Sequence, residues 1–248
     1  MIKLIHLSKN YGHQTAINNI HLSVSPGEIF GFIGPNGAGK TTSIQIMAGL
    51  LAPTSGDVFL SGVSMNANPV RAKRLIGYIP DRPYIYEKLT GLEYLRFIAD
   101  FYQITLKDFT KKSEHLLQLF GLIHRQNELI EAYSHGMKQR LIMASALLHD
   151  PPIIIVDEPM VGLDPVAIKL VREVFKQRSQ QGTTIFLSTH TLSLAEQICD
   201  RVGIIHKGQL IATGSMDDLK ASSKSDTKDL EDIFFQLTLE QDETDHLL

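Results

Sequence analysis

The glycine-rich stretch GPNGAGKT at residues 34–41 constrains the fold of this chain more than any other feature. It fits the pattern G-x-x-x-x-G-K-[ST] at every fixed position, between the strand-like EIFGFI and the helical TTSIQIMAGL. Glycines let backbone N–H groups approach a phosphate chain, and the helix that follows directs its positive end at the anion. We therefore predict a strand-loop-helix unit that binds a nucleoside triphosphate, and not an ordinary glycine-rich turn.

Two side chains of this loop have defined roles in such a site. Lys40 can reach the β and γ phosphates, which also makes it a candidate catalytic residue, and the hydroxyl of Thr41 can ligate Mg²⁺. The residues predicted to bind the nucleotide are Gly34, Pro35, Asn36, Gly37, Ala38, Gly39, Lys40, Thr41 and Thr42.

Composition limits the possible partners. With 248 residues, 43% of them hydrophobic, the chain can bury the core of one large domain or two small ones. A formal charge of −3, without a run of lysines or arginines, disfavours nucleic acid as a partner. Cys199 is the single cysteine, so we expect no internal disulfide and a reducing compartment. No stretch reaches the roughly 18 apolar residues that span a bilayer, so a role at a membrane requires a partner.

Hydrophobic patterns predict strands near both ends of the chain and helices in the middle. β-rich runs between turn residues predict strands at Ile2–Leu7, Ile20–Val24, Glu28–Ile33, Asp57–Leu60, 151–159 and 183–190, and a hairpin at 202–214. Apolar residues at three-and-four spacing predict helices at Leu92–Tyr102, Lys107–Phe120 and 165–180. We therefore predict an α/β core with a helical insertion at about 82–150.

The apolar run IIIV at 153–156 ends in two acidic residues. Such a run is typical of a strand that is buried on both faces of a parallel sheet. Asp157, at the carboxyl end of this strand, can hold Mg²⁺ directly or through water. Glu158 can accept a hydrogen bond from an attacking water, so it is the candidate catalytic base.

A third predicted strand, TTIFLSTH, ends in His190. In open parallel sheets, ligands lie outside the carboxyl ends of the strands. The strand ends before Gly34, at Asp157 and at His190 are therefore predicted to converge. Because its imidazole can donate a hydrogen bond to a γ-phosphate, His190 is the third catalytic candidate.

The segment YSHGMKQRL at 133–141 adds a further motif. Ser134 is predicted to cap the helix that follows, and Gly136 leaves room for an anion at the start of that helix. With these motifs in this order, the chain resembles the nucleotide-binding subunits of ABC transporters over almost its whole length.

The resemblance assigns roles to further residues. Tyr11, in NYG, matches the aromatic residue that stacks on adenine. Ser134 and Gly136 match the signature segment that contacts phosphate, and Asp164 ends the segment VGLD, which matches the loop after the metal-binding strand. These residues join the predicted nucleotide-binding set.

The resemblance also implies a fold and a domain organisation. The fold is an α/β, RecA-like P-loop NTPase core with an antiparallel β subdomain and an inserted helical subdomain. Residues 1–221 would form the cassette, and 222–248 a polar linker and a short C-terminal helix. The segment LEDIFFQLT at 230–238 looks like the closing segment of single-cassette, export-type subunits.

The implied activity is hydrolysis of ATP, with Mg²⁺, to power transport. In similar proteins two cassettes bind head to tail, so that the Ser134 helix of one closes over the ATP held by residues 34–42 of the other. The second cassette would form a homodimer or a heterodimer, and a separate transmembrane permease would move the cargo. The chain is then expected at the cytoplasmic face of the plasma (inner) membrane.

Three positions depart from the family pattern. His135 replaces the first glycine of the signature, and Met137 replaces its usual glutamine. Asp81, in GYIPDRP at 77–83, stands where the family usually carries glutamine. A carboxylate about 5 Å from a γ-phosphate meets roughly 3 kcal/mol of repulsion at an effective dielectric near 20, and an intervening Mg²⁺ reverses the sign. We predict that Asp81 ligates the metal or turns out to pair with Arg82; the alternative is that it only caps a turn.

Other assignments are open from the sequence. Tyr84, Tyr86 and Leu89 are predicted to line a groove for a helix of the membrane subunit, or else to pack within the helical part. A soluble ABC ATPase acting on nucleic acid or the ribosome is one alternative function, although such relatives usually carry two cassettes or a long coiled coil. The other is a non-hydrolysing, ATP-dependent dimerisation switch, against which the intact catalytic residues argue.

Overall fold

The chain forms two sheets in a computed structural model that describes residues 1–82, 84–160, 162–222 and 229–245. The strands are β1 (Ile2–Tyr11), β2 (Gln14–Val24), β3 (Ile29–Ile33), β4 (Ser55–Leu60), β5 (Val63–Ser64), β6 (Ile76–Ile79), β7 (Ile153–Asp157), β8 (Thr184–Thr189), β9 (Arg201–His206) and β10 (Gln209–Gly214). The α-helices are α1 (Lys40–Met47), α2 (Pro69–Lys73), α3 (Gly91–Phe101), α4 (Leu106–Leu119), α5 (His135–Leu147), α6 (Pro165–Gln180), α7 (Leu192–Ile198), α8 (Met216–Ser222) and α9 (Leu230–Asp245).

The first sheet has the order β2-β1-β4-β5 and is antiparallel. Its first two strands are longer than predicted, since β1 continues to Tyr11 and β2 begins at Gln14. Register shifts interrupt their pairing, and His6 and Asn19 have left-handed backbone, with φ of 49° and 52°. An irregularity of this kind moves the following side chains to the opposite face, which removes the alternation by which a strand is recognised.

The second sheet has the order β10-β9-β3-β8-β7-β6 and carries the predicted core. Its strands from β9 to β6 are parallel, while β10 pairs antiparallel to β9. Every residue of β3, β7 and β8 is buried, as the apolar runs predict. The register places Ile33 beside Thr189, and Asp157 beside Ser188. The structure confirms the predicted convergence of these strand ends.

The helical middle of the chain begins at a reciprocal cap. The hydroxyl of Thr90 accepts a hydrogen bond from the N–H of Glu93 (3.2 Å), and the Glu93 carboxylate accepts one from the N–H of Thr90 (2.8 Å). Apolar side chains of α3, α4 and α5 then form one cluster that continues beneath β7 and β8. Of these helices, α5 also contacts the core sheet directly, since a Cβ on Gly77 of β6 would lie 2.4 Å from the carbonyl oxygen of Ala146.

A second apolar cluster joins the two sheets around α1. Phe186 of β8 lies at the centre, with ring centroids 5.6 Å from Phe30 and 5.3 Å from Phe32. Buried residues of β1, β2 and β4 belong to the same cluster. This packing brings the antiparallel sheet next to the loop between β3 and α1.

The described C-terminal part ends in α9, which packs through Leu230 and Ile233 against a cluster that includes residues of α7, α8 and β9. The N–H of Leu230 also donates to Glu196 (2.9 Å). The predicted linker at 222–228 lies outside the described residues apart from the backbone of Ser222. None of the helices in the described ranges combines the length and the apolar composition of a membrane-spanning segment.

Replacing Thr90 by alanine should destabilise the chain by about 1 kcal/mol, because it removes one half of the reciprocal cap of α3. Thermal unfolding of T90A and T90S checks this prediction, and T90S, which keeps the hydroxyl, should resemble the wild type. Equal loss in both variants would show that the Thr90 hydroxyl contributes nothing to stability.

Candidate functional site

The loop between β3 and α1 passes close to neighbouring backbone. A Cβ on Gly34 would lie 2.3 Å from the carbonyl oxygen of Ile205, and one on Gly39 would lie 2.5 Å from that of Ala16. Gly39 also has left-handed backbone, with φ of 106°. Only glycine fits these two positions, and it leaves the loop N–H groups next to the cleft described below.

Lys40, the first residue of α1, is buried and folds back over this loop. Its Nζ donates to the carbonyl oxygens of Gly34 (2.7 Å) and Pro35 (3.1 Å). Burial lowers the pKa of Lys40, against the opposing effect of the nearby Glu158 and Asp157 carboxylates. The ammonium therefore sits where a phosphate chain cradled by the loop would meet it.

Asp157, at the end of β7, is a buried carboxylate. Its Oδ1 accepts a hydrogen bond of 2.5 Å from the hydroxyl of Ser188, and its Oδ2 is buried without a hydrogen-bond partner. Burial raises the pKa of Asp157, the hydroxyls of Ser188 and Thr41 lower it, and the charges of Asp81 and Glu158 raise it further. The charged form of Asp157 is thus destabilised on balance.

These atoms fit a divalent cation. Carboxylate and hydroxyl oxygens are the ligands that Mg²⁺ prefers. Oδ2 of Asp157 is a buried acceptor that lacks a donor, and the hydroxyl of Thr41 lies near the same carboxylate. A cation at this point would satisfy the orphaned oxygen, so Thr41 and Asp157, which together with Asp81 are the predicted metal ligands, offer suitable groups.

Glu158 and His190 form a pair at the ends of two neighbouring strands. Nδ1 of His190 lies 2.8 Å from Oε1 of Glu158. Glu158 has left-handed backbone, with φ of 48°, and its N–H donates to the carbonyl oxygen of Ser188 (3.3 Å). A non-glycine residue rarely adopts this conformation, which turns the side chain away from the course of the strand. The strand end thereby directs the carboxylate to the imidazole.

An open cleft of about 540 Å³ brings most of the predicted residues together. Its lining residues are Tyr11, Gln14, Thr15, Ala16, Asn36, Gly37, Gly39, Lys40, Thr41, Thr42, Asp81, Glu158 and His190. Tyr11 is half exposed there, and the ammonium of Lys9 lies 5.2 Å from the centre of its ring. Gly34, Pro35 and Ala38 belong to the same loop without lining the cleft.

Four residues that the sequence does not predict lie here or beside Asp157. Gln14, Thr15 and Ala16 reach the cleft from the turn between β1 and β2, just after Tyr11. Ser188 binds Asp157 from the neighbouring strand. The position of Ser188 two residues before His190 was a usable signal, because alternate residues of a strand share a face.

Asp81 lies between the nucleotide cleft and a second cavity. It lines both, together with Thr41, and the second cavity also reaches Asp157. Its charge, after burial and the charge of Asp157, contributes to raising the pKa of Tyr78 to about 12. Among the ion pairs of the described residues, Asp81 does not pair with Arg82.

Ser134, Gly136 and Asp164 are not among the residues that line the nucleotide cleft. The hydroxyl of Ser134 caps α5 by accepting from the N–H of Met137 (3.3 Å), as predicted, and Asp164 caps α6 by accepting from the N–H of Ala167 (2.8 Å). Gly136 packs against Gly162, whose carbonyl oxygen would lie 3.3 Å from an added Cβ. The structure therefore groups the signature segment with the loop before α6.

Comparison with known proteins gives the family. A family model described as ABC transporter matches residues 17–161. The chain is 37% identical to the linearmycin resistance ATP-binding protein LnrL of Bacillus subtilis (strain 168), over 92% of this chain and 73% of that protein. It is 41% identical to the bacitracin transport ATP-binding protein BcrA of Bacillus licheniformis, over 90% of this chain and 72% of that protein.

Solved structures agree with the sequence relatives. An ATP-binding subunit of an ABC transporter superposes with a TM-score of 0.91 at 34% identity, over 96% of this chain and 99% of that one. A dimeric ATP-binding cassette in a post-hydrolysis state with ADP and Pi has a TM-score of 0.77 at 25% identity, over 87% and 98%. These likenesses confirm the predicted P-loop NTPase fold. The chain belongs to the ABC transporter family, as an ATP-binding and ATP-hydrolysing subunit.

Proposed function

We propose that this subunit powers export through a separate membrane subunit, by hydrolysing ATP at sites that two cassettes share. The observation that carries the proposal is the convergence of Asp157, Glu158 and His190, at the ends of adjacent parallel strands, with Lys40 at the start of α1. Each of these groups has a chemical use at a triphosphate, and the fold holds all of them at one edge of the sheet.

Lys40 and the loop N–H groups bind the phosphates. The two carbonyl contacts of the ammonium fix its position, and it has a third N–H for a phosphate oxygen. Thr41 and Asp157 would hold Mg²⁺, and Asp81, which lines the same cleft, would join them. The cation, when bound, offsets phosphate charge. Tyr11 offers a half-exposed ring on which adenine can stack.

Glu158 acts as the base that orients the attacking water, and His190 holds the Glu158 carboxylate in position. A carboxylate only accepts hydrogen bonds, so the 2.8 Å contact requires a proton on Nδ1 of His190. Nε2 of the same ring is then available to the γ-phosphate, to which it donates when the imidazole is protonated. The pair thereby couples the position of the base to the presence of that phosphate.

A second cassette would complete each site. Ser134 and Gly136 lie outside the cleft of their own chain, at the N-terminus of a 13-residue helix that is suited to an anion. Asp164 caps the next helix, α6, and the two residues before it, Gly162 and Leu163, lie against Gly136. The similarity to a dimeric cassette supports a head-to-tail pair in which these residues face the nucleotide of the partner.

The membrane partner is proposed to bind an aromatic surface of the helical part. Tyr84 and Tyr86 are 81% and 60% exposed, and Leu89 is half-buried behind them. Tyr86 packs edge-on against Phe97 (5.3 Å), which packs in the same way against the exposed Phe101 (4.9 Å). An exposed apolar patch of this kind is typical of a partner site.

The names of the relatives support the direction of transport. One relative is named for bacitracin transport and another for linearmycin resistance. Removal of a toxic compound is the function that fits both names, so we propose export here. The chain would then act at the cytoplasmic face of the membrane, where ATP is available.

Replacing Glu158 by glutamine should lower ATP turnover by about 100-fold or more, because the amide cannot accept the proton of water. Phosphate release by wild type, E158Q and the control E173Q, an exposed carboxylate on α6, measures this effect. The E158Q variant should still bind ATP and form ATP-dependent dimers in size-exclusion chromatography. Turnover in E158Q above half that of the wild type would contradict the assignment.

Replacing Asp157 by asparagine should abolish turnover and raise thermal stability. Burial raises the pKa of Asp157, so its charged form disfavours the folded state at neutral pH. A gain of about 1 kcal/mol would raise Tm by about 2–4 °C in a chain of this size. The Tm difference should shrink as the pH falls through the raised pKa, where the wild-type carboxyl becomes neutral. A lower Tm for D157N at pH 7 would contradict this prediction.

Replacing Asp81 by glutamine should change the Mg²⁺ concentration that gives half-maximal turnover. If Asp81 helps to hold the cation, D81Q needs more Mg²⁺, and the neighbouring control R82Q behaves as the wild type. The measurement is a Mg²⁺ titration of phosphate release at saturating ATP. An unchanged midpoint in D81Q would show that Asp81 only caps its turn.

A further inference from the structure

Gln139 is a polar side chain of α5 that has no exposure to solvent. Its Nε2 donates to the carbonyl oxygen of Pro80 at 3.3 Å, and its Oε1 is buried without a hydrogen-bond partner. Leaving a buried oxygen unpaired costs roughly 1–3 kcal/mol. An apolar side chain of similar size would avoid that cost, so stability alone does not explain an amide at this position.

The amide connects two parts of the chain that the proposed function uses separately. Pro80 follows β6 and is joined directly to Asp81, which lines the nucleotide cleft. Gln139 follows Ser134 along α5 by five residues, or about 7.5 Å of helix. The hydrogen bond from Gln139 therefore joins the Ser134 end of α5 to the start of the loop that carries Asp81.

Other contacts hold α5 and this loop in a defined relation. The backbone of α5 touches β6 at Ala146, where Gly77 has no room for a side chain. Lys138, next to Gln139, forms an ion pair with Glu87 on the far side of the loop. The helix α5 thus contacts the chain before Asp81, at Gly77, and after it, at Glu87. A displacement of the first turns of α5 therefore acts on the loop between these two contacts.

We propose that Gln139 is a positioning residue that couples the Ser134 end of α5 to Asp81 in the nucleotide cleft of the same chain. The inference rests on the proposed function, in which Ser134 closes over the ATP of the partner and Asp81 lies beside its own. The single 3.3 Å bond holds one arrangement, and the unpaired Oε1 can accept a backbone N–H of the loop in another. An element with two arrangements of this kind is what coupling between two sites requires.

Hydrogen–deuterium exchange tests the coupling in the full chain. Peptides covering 77–82 and 134–139 are followed with and without a slowly hydrolysed ATP analogue and Mg²⁺ in wild type, Q139M and S145A. Ser145 is the matched control, because it is another buried polar residue of α5, and its hydroxyl bonds Ile142 (2.8 Å) and Tyr94 of α3 and not the loop that carries Asp81.

The wild type and S145A should show protection at both segments on nucleotide binding. In Q139M, protection should persist at 77–82 and fall at least about threefold at 134–139. The Tm of Q139M should stay close to that of the wild type, since the variant removes both the unpaired oxygen and the donor to the Pro80 carbonyl. Equal protection in Q139M and S145A would overturn the proposal alone, whereas no protection at 134–139 in the wild type would overturn both the proposal and the shared site on which it rests.

A kinetic cycle gives a second test. Q139M should lower kcat about fivefold with less than about twofold change in KM, the size expected for a coupling residue. If Gln139 acts through Asp81, the double variant Q139M/D81Q should turn over as D81Q alone does. If the loss of turnover in the double variant is instead the product of the losses in the two single variants, the inference is overturned. The exchange experiment needs ATP binding and not hydrolysis, so it distinguishes failure of this inference from failure of the proposed function.

Discussion

The parallel pairing of β3, β8 and β7 is the constraint on which the rest of the site depends. All three strands are buried on both faces, and their register sets Ile33 beside Thr189 and Asp157 beside Ser188. A slip of one residue would reverse the face of every side chain in the slipped strand. The burial that stabilises the sheet therefore also fixes where Lys40, Asp157 and Glu158 lie relative to one another.

Those parts of the site that depend on local pattern could be predicted from the sequence. The geometry of residues 34–42 is predictable, because the glycines and the start of the following helix lie within one short segment. Strand-end residues such as Asp157 and His190 were also predictable, since apolar runs indicate buried strands and the ends of parallel strands meet at one edge. In both cases, the pattern that predicts the structure lies in residues that are close together in the sequence.

Other features depend on packing between distant segments and could not be predicted. Gln14, Thr15 and Ala16 reach the cleft because the antiparallel sheet packs on α1, and irregular register hides the strands on either side of them. The helix α7 has only seven residues, too few for a periodic pattern to separate it from a loop. Nothing in the spacing of the motifs shows that α5, inside the predicted insertion, rests on β6 and contacts Pro80 through Gln139.

The electrostatics of the cleft argue for a cation independently of the family. The negative charges of Asp157 and Glu158 both favour the charged form of the buried Lys40 ammonium. The negative charge of Asp81 disfavours the charged form of Asp157. Burial raises the pKa of Asp157 and lowers that of Lys40, so both groups lose part of their preference for the charged form. A triphosphate adds further negative charge to this arrangement. A divalent cation bound to the unpaired Oδ2 of Asp157 would offset that negative charge. The carboxylate of Asp81 adds a negative charge that a glutamine would not add, so it increases the need for such a cation.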